Sequence, residues 1–186
     1  DGYDEILISS SWGIGILKVY GASLMSIAMY ENGTDLNGYV VNNADQFIIA
    51  DRFSGNSRNQ VIVTNANGMH LLELNTNLSR IAFCSEGGSI DGWAFTNSNI
   101  AIKSVGDINN DGRAEFLIND FSVTDSKIGI MCLNDANQFR CLTHAPYGSM
   151  LNHWHLQRSD IIAGSGKFIP GQNAKQLMIF KTWWGS

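Results

Sequence analysis

The sequence predicts an all-β protein that is built from tandem four-stranded units. Segments with the same order of apolar and polar residues open at Glu5, Gln60, Glu115 and Gln176. Each full copy contains short apolar runs, separated by polar turns, that are typical of β-strands. No run has a sustained helical period, and the chain contains only 2 Pro. Tandem units of this kind are typical of a β-propeller, in which each blade buries its apolar faces against its neighbours.

Each copy follows the same series of elements. A first strand, a tight polar turn and a second strand begin the copy, as in EILISS and IGILKV of the first one. A third strand follows, and after it an aromatic residue recurs as Tyr39, Trp93 and Trp154. A polar corner then leads to a fourth strand and to the next loop. Because recurring aromatic residues are typical of packing between sheets, we expect these three side chains to be inter-blade contacts, together with Trp12.

The whole chain of 186 residues reads as a single propeller or propeller segment. The approximate repeat boundaries are 1–50, 51–105, 106–165 and a partial repeat at 166–186. These are about three full repeats plus one extra strand, whereas propellers usually hold about four to eight blades. We therefore expect a fragment of a larger propeller, completed by further blades of a parent chain or by a second copy. A small propeller that is closed by its own ends is the alternative.

The composition limits the classes of partner and the location. The net charge is −5, the pI is about 5.2 and no basic run occurs, which argues against nucleic acid and anionic membranes as partners. No apolar stretch reaches the roughly 18 residues of a membrane helix, so we expect no membrane insertion. Charged residues make up only 16% of the chain, and Asn, Ser, Thr and Gly replace them. This pattern is common in β-rich extracellular proteins, so we expect an extracellular or secreted location.

Three cysteines allow one disulfide. Cys132 and Cys141 flank a predicted hairpin connection. If the two residues stand directly opposite each other on paired strands, they could form a bridge, although the sequence does not fix the connectivity. Cys84 is expected to be a buried thiol.

Residues 107–115, with the sequence DINNDGRAE, form the most informative loop of the chain. Oxygen-bearing side chains stand at loop positions 1, 3, 5 and 9, and Gly112 at position 6 allows a sharp reversal. A hard cation such as Ca²⁺ takes about six to eight oxygen ligands, which such a loop can supply. The flanking runs are short and apolar, so the loop joins two strands. An EF-hand is excluded, because it needs an acid at position 12, where Ile118 stands.

The spacing, the early Glu115 and the strand context resemble the calcium loops of FG-GAP/VCBS repeats, the β-propeller type of integrin α-chains. The repeat architecture extends this resemblance over nearly the whole chain, although the strong motif occurs once. The resemblance implies Ca²⁺ as the bound ion, with Asp107, Asn109, Asp111 and Glu115 as side-chain ligands and Arg113 as a carbonyl ligand. A metal-free turn is the alternative, since Asn, Asp and Gly dominate turns for backbone reasons.

The corresponding loops of the other repeats are degenerate. Residues 51–57 keep the first acid and a glycine, and residues 167–173 contain no acid. We therefore expect one good ion site, in which a divalent cation neutralises three carboxylates and orders the loop.

The resemblance implies a binding or scaffolding module that recognises glycan or protein partners. We expect no intrinsic catalysis, because the sequence contains no catalytic motif. The alternatives are a carbohydrate-binding lectin, an accessory domain of a secreted enzyme and a structural subunit of an extracellular assembly. For a lectin the candidate ligand-binding residues are Trp183 and Trp184, since one of them breaks the repeat register and indole rings can stack on sugars.

Overall fold

The computed structural model describes residues 5–56, 58–166 and 176–180, and the regular elements in these residues are all β-strands. The strands are β1 (Glu5–Ser10), β2 (Gly13–Tyr20), β3 (Ser23–Glu31), β4 (Gln46–Asp51), β5 (Gln60–Asn65), β6 (Gly68–Leu74), β7 (Leu78–Ser85), β8 (Ser89–Ile90), β9 (Trp93–Ala94), β10 (Ile100–Gly106), β11 (Glu115–Asp120), β12 (Lys127–Leu133), β13 (Phe139–Pro146), β14 (Met150–Leu151), β15 (Trp154–His155), β16 (Ile161–Gly166) and β17 (Gln176–Phe180). The all-β prediction is confirmed. In this part of the chain no helical segment could span a bilayer.

The longer strands form four antiparallel sheets in which strand order follows chain order. Sheet 1 contains β1–β3, sheet 2 contains β4–β7, sheet 3 contains β10–β13 and sheet 4 contains β16 and β17. The short hairpins β8–β9 and β14–β15 lie between these sheets along the chain. Consecutive pairing follows from the tight turns, because short connections favour neighbouring antiparallel strands.

Sheets 2 and 3 each take their first strand from the end of one predicted repeat. Strand β4 ends at Asp51 and pairs with β5, so that Asp51 stands opposite Gln60. In the same way β10 pairs with β11, and Gly106 stands opposite Glu115. The loop between the first two strands is therefore a connection inside one sheet, and the pairing fixes both of its ends.

Every sheet has two faces, because side chains alternate along a strand. We define face A of sheet 2 as the face that carries Val61 and Leu72. In the other sheets, face A is the face that carries the residues aligned with these two. Face B is the opposite face, which carries Ile62 and Leu71 in sheet 2. The pairing confirms the assignment, since Val61 is opposite Leu72 and Ile62 is opposite Leu71.

In sheets 1, 2 and 3, face B packs on face A of the next sheet. Three hydrophobic clusters make these contacts: Ile14, Ile16, Val63 and Leu72 between sheets 1 and 2; Ile62, Leu71, Phe116 and Met131 between sheets 2 and 3; Leu117, Ile128, Ile130 and Leu177 between sheets 3 and 4. Burial of these side chains is the main favourable contribution to folding, since apolar burial contributes about 25 cal/mol for each Å².

The recurring aromatic residues lie in these contacts, as predicted. Tyr39 and Trp93 are buried, and each reaches the middle of face A in the following sheet. The Tyr39 ring centroid is 5.1 Å from that of His70 in sheet 2. Trp93 lies over Gly129 in sheet 3, where an added Cβ would stand 2.5 Å from the indole ring. Trp154 is partly buried in the third cluster.

Trp12 departs from the expected packing between sheets. Its side chain is 39% exposed and lies over Gly15 on face A of sheet 1. The physical reason is that none of the residues described by the structure forms a sheet in front of sheet 1.

A hydrogen-bonded corner follows the recurring aromatic residue in the first copy. Asp45 Oδ2 accepts a hydrogen bond from the Tyr39 hydroxyl at 2.5 Å and another from the backbone N–H of Asn42 at 2.9 Å. The third copy repeats the arrangement at 2.9 and 3.0 Å with Asp160, Trp154 and Gln157. Because Asp45 is buried, its carboxylate satisfies donors that would otherwise lack a partner in the core.

The three cysteines are free thiols, so the possible bridge between Cys132 and Cys141 is not formed. A register shift in the β12–β13 pair places Cys132 opposite Arg140 and Cys141 opposite Met131. The two cysteines therefore stand one position out of register, on opposite faces of the sheet. Cys84 is buried, as expected.

We predict that Asp45→Ala lowers the free energy of unfolding by about 2 to 4 kcal/mol, because it leaves the Tyr39 hydroxyl and the Asn42 N–H without their acceptor. Urea unfolding followed by circular dichroism measures the change. Asp45→Asn is the matched control, since it keeps one side-chain oxygen and should lose less. Equal losses in the two variants would contradict the role of the acceptor.

We predict that His70 makes the fold sensitive to mild acid. His70 is buried between the rings of Tyr39 and Phe83, and burial, with a smaller effect of the Arg80 charge, lowers its pKa from 6.5 to about 4. The unfolded chain then binds a proton at a pH where the folded protein does not. The free energy of unfolding should therefore fall between about pH 6.5 and pH 4, by at most about 1.4 kcal/mol for each pH unit.

The control variant for this prediction is His70→Phe, which keeps a stacked ring and cannot titrate. Asn65 Oδ1 retains the N–H of Asn67 as a partner when the imidazole is lost. Melting curves between pH 4 and pH 7 should show a shallower acid dependence for the variant. Parallel curves for the two proteins would show that His70 is not responsible.

Candidate metal centre

The predicted ion loop lies between the antiparallel strands β10 and β11, as the flanking sequences indicated. The pair Gly106 and Glu115 closes the loop at its base. The backbone reverses at Asn110 and Gly112, which have φ angles of 65° and 87°. Glycine and asparagine tolerate this left-handed conformation better than other residues, which explains why the local sequence folds into so tight a loop.

Hydrogen bonds from loop side chains to loop N–H groups hold this reversal. Asp107 accepts at 3.1 Å from the N–H of Asp111 and at 3.0 Å from that of Gly112. Asn109 Oδ1 also accepts from the N–H of Asp111 at 2.9 Å, and Asp111 Oδ1 accepts from the N–H of Arg113 at 2.9 Å. The predicted ligands thus share one small volume.

Glu115 is the buried member of the set. Its side chain has no exposed surface, and Oε2 accepts a hydrogen bond from the N–H of Ile108 at 2.8 Å. The side-chain amide of Asn109 donates to Glu115 Oε1 at 3.1 Å and to Asp111 Oδ2 at 3.0 Å. One amide nitrogen therefore stands between two carboxylates.

The electrostatics of this arrangement are unfavourable for a charged Glu115. Burial raises its pKa from 4.5 to about 7, and the charges of Asp111 and Asp107 act in the same direction. The N–H groups of Ile108 and Asn109 oppose this rise. A carboxyl group with such an environment needs either a proton or a nearby positive charge.

Arg113 does not supply that charge. Its guanidinium donates to the carbonyl oxygen of Leu133 at 3.2 Å and forms an ion pair with Asp135. The side chain thus leaves the loop, and the backbone carbonyl is the group that Arg113 can offer to an ion.

The structure brings Asn109, Asp111 and Glu115 into direct contact and places Asp107 on the same loop backbone. Over residues 5–56, 58–166 and 176–180, however, no group of three or more His, Cys, Asp or Glu side chains has an arrangement that could hold a metal ion. The ligand set implied by the sequence also contains an amide and a carbonyl. Asp107 and Asp111 would have to exchange part of their backbone hydrogen bonds for ion contacts.

The loop of sheet 2 contains an arrangement that the sequence did not reveal. Gln60 aligns with Glu115 and is fully buried in the same way. Its Nε2, which carries two hydrogens, lies within hydrogen-bond distance of three acceptors: Asn56 Oδ1 at 2.9 Å, the carbonyl oxygen of Arg58 at 2.8 Å and Glu73 Oε2 at 2.8 Å. Asn56 and Arg58 align with Asp111 and Arg113. The alignment of Gln60 with Glu115 was the signal that could have identified this residue.

A surface groove lies between sheets 2 and 3, where β7 and the β8–β9 hairpin face β13. Its volume is about 610 Å³, and its lining includes Phe83, Asp91, Asn137, Gln138 and Arg140. Arg140 donates to Asp91 at 2.7 Å across the groove, and this hydrogen bond lowers the pKa of Asp91. The groove is a concave surface that carries both hydrogen-bond donors and hydrogen-bond acceptors.

Trp183 and Trp184, the candidate sugar-binding residues, lie outside the described residues, and so does the degenerate loop at 167–173. A comparison of the chain with protein-family models, with curated proteins and with solved structures finds no match.

Proposed function

We propose that this chain is part of a calcium-stabilised β-propeller of the FG-GAP/VCBS type. In this proposal it serves outside the cell as a binding or scaffolding module for a glycan or protein partner, without catalysis of its own. The buried Glu115 beneath its acidic loop is the observation that carries the proposal.

The order of the sheets supports the propeller arrangement. Each hydrophobic cluster joins two sheets that are consecutive in the chain, as neighbouring blades do. Strand β10 comes within 8 Å, between Cα atoms, of both β4 and β16. These are the first strands of sheets 3, 2 and 4, and neighbouring first strands are expected where blades meet around a common axis.

The environment of Glu115 supports a bound cation. A carboxylate without exposure is costly unless a positive charge or several hydrogen bonds compensate its lost hydration. In the described part of the chain its hydrogen bonds come from Ile108 and Asn109, and two further acids lie in the same loop. Ca²⁺ would neutralise this cluster and would draw its oxygen ligands from the groups already gathered there.

The loop of sheet 2 supports the same conclusion by contrast. There the Gln60 amide donates to the side chain of Asn56 and to the carbonyl of Arg58, at positions equivalent to two of the proposed calcium ligands. A neutral donor satisfies these oxygens in sheet 2. In sheet 3 the equivalent residue is the acid Glu115, which cannot donate such hydrogen bonds when it is charged. A cation would then satisfy the loop oxygens instead.

The groove between sheets 2 and 3 is the proposed contact surface for a partner. Its amides and its ion pair offer donors and acceptors, which suit the hydroxyl groups of a glycan or the polar side chains of a protein. It lies at the junction of two consecutive sheets, so a partner bound there would contact both of them.

We predict that Ca²⁺ stabilises this protein against heat. At a concentration one hundred times the Kd, binding adds about 2.7 kcal/mol, which corresponds to a rise in Tm of roughly 5 to 10 °C. Differential scanning calorimetry in excess EDTA and in excess Ca²⁺ measures the effect. An unchanged Tm would remove the ion from the proposal.

Asp107→Ala should reduce this calcium response by more than half, because it removes a carboxylate ligand. Asp125→Ala is the control, because it removes an exposed carboxylate between β11 and β12 and outside the ion loop, and its response to calcium should equal that of the unchanged protein. A full response in Asp107→Ala would show that the ligands are misassigned.

Glu115→Gln should make the loop of sheet 3 behave like that of sheet 2. Without calcium we expect a Tm about 3 °C higher, since removal of a buried charge is worth roughly 1 kcal/mol. The calcium response should nearly vanish. The reverse change, Gln60→Glu, should lower the Tm in EDTA. A lower Tm for Glu115→Gln in EDTA would contradict the account of the buried charge.

A further inference from the structure

Face A of sheet 1 is a large exposed apolar surface. Ile6 and Ile8 on β1, Val19 on β2, and Leu24 and Met29 on β3 are 44%, 37%, 49%, 61% and 62% exposed. The pairing register places them on one face, because Ile8 stands opposite Gly15, Gly15 opposite Met29, and Val19 opposite Leu24. Apart from Trp12, which lies over Gly15, none of the residues that the structure describes covers this surface.

The equivalent surface of every later sheet is covered. Ile6 and Ile8 align with Val61 and Val63, which pack on face B of sheet 1, and Val63 is fully buried. The same positions in sheet 3 hold Phe116 and Ile118, which are fully buried against face B of sheet 2. In sheet 4 they hold Leu177 and Ile179, which pack on sheet 3. Face A is therefore a surface that receives the face B of another sheet.

At the other end of the stack, no sheet formed by the described residues packs on face B of sheet 4. Leu177 and Ile179 use face A, and alternation along β17 places Met178 and Phe180 on the opposite face. Phe180 is 52% exposed. The described part of the chain thus ends with a free face A on sheet 1 and a free face B on sheet 4.

We propose that two copies of this chain associate head to tail, with face A of sheet 1 in one copy on face B of sheet 4 in the other. The chain makes this type of contact three times within itself, so the junction between copies continues an interface that its sequence already encodes. The contact is heterologous, and it closes into a ring only if the rotation between copies allows it. This inference does not depend on calcium binding, because it rests on the apolar faces alone.

Sedimentation velocity with the full chain tests the proposal. We expect association that increases with concentration and is evident at about 100 µM, a range that detects Kd values up to the millimolar level. The double variant Leu24→Lys and Met29→Lys should be monomeric, because lysine charges cannot be buried in the junction. Both residues are exposed in the folded chain, so circular dichroism should show an intact fold.

Phe180→Lys should also be monomeric, since it alters the opposite side of the same junction. Val123→Lys is the matched control, because Val123 is 90% exposed and lies on neither face. Its association should equal that of the unchanged protein. A monomeric unchanged protein, or loss of association in the control as well, would overturn the proposal.

Mixing the two monomeric proteins tests the head-to-tail geometry. The Leu24 and Met29 double variant keeps face B of sheet 4, and Phe180→Lys keeps face A of sheet 1. An equimolar mixture should therefore form a heterodimer through one intact junction. If the unchanged protein associates but the mixture stays monomeric, the contact is not head to tail and the proposal is wrong.

Discussion

The packing of face B of one sheet on face A of the next is the interaction on which the rest of this structure depends. A sheet of three or four short strands cannot bury both of its apolar faces alone, so its stability comes from its neighbours. The repeat pattern supplies matching surfaces, with Leu71 on one side of the second contact and Phe116 on the other. The place of a sheet in the stack therefore decides whether a side chain is buried. The equivalent residues Ile8 and Val63 are respectively exposed and fully buried, since among the described residues only Val63 has a preceding sheet to pack against.

The same packing also buries the polar residue at the end of the loop that joins the first two strands of sheets 2 and 3. In sheets 2 and 3 the first two strands pair at the base of the loop that joins them, and the last residue of this loop opens a buried strand. Glu115 and Gln60 stand at this position and are both without exposure. A polar group is thus buried beneath each of these two loops, and it must be satisfied there. Gln60 meets this requirement with three acceptors around its amide nitrogen. Glu115 brings a charge instead, and this difference makes a cation the proposed partner in sheet 3.

Patterns with a fixed period could be predicted from the sequence, whereas features that depend on a register shift or on a distant partner could not. The strands, their order, the loop at 107–115 and the burial of Tyr39 and Trp93 follow from alternation and repeat spacing. The free thiols follow from an irregularity in the β12–β13 pair, which no local pattern signals. Trp12 is exposed because no sheet formed by the described residues lies in front of sheet 1, and the bond between Asp45 and Tyr39 depends on a corner geometry that composition does not specify. These three features depend on strand pairing, packing between sheets and corner geometry, which local propensity does not predict.

The two loops are also coupled to each other, which connects the proposed ion site to the stack. The N–H of Ala114 in the loop of sheet 3 donates to the carbonyl of Arg52 in the loop of sheet 2 at 2.9 Å. The Arg113 side chain lies against Gly55, where an added Cβ would stand 2.9 Å from its Nε. Ordering of residues 107–115 by a cation would therefore also fix the loop of the preceding sheet. Since the second hydrophobic cluster lies between the same two sheets, ion binding and apolar packing would stabilise one junction together. A single ion loop could in this way strengthen a contact that involves two repeats, although only one of them carries the acids.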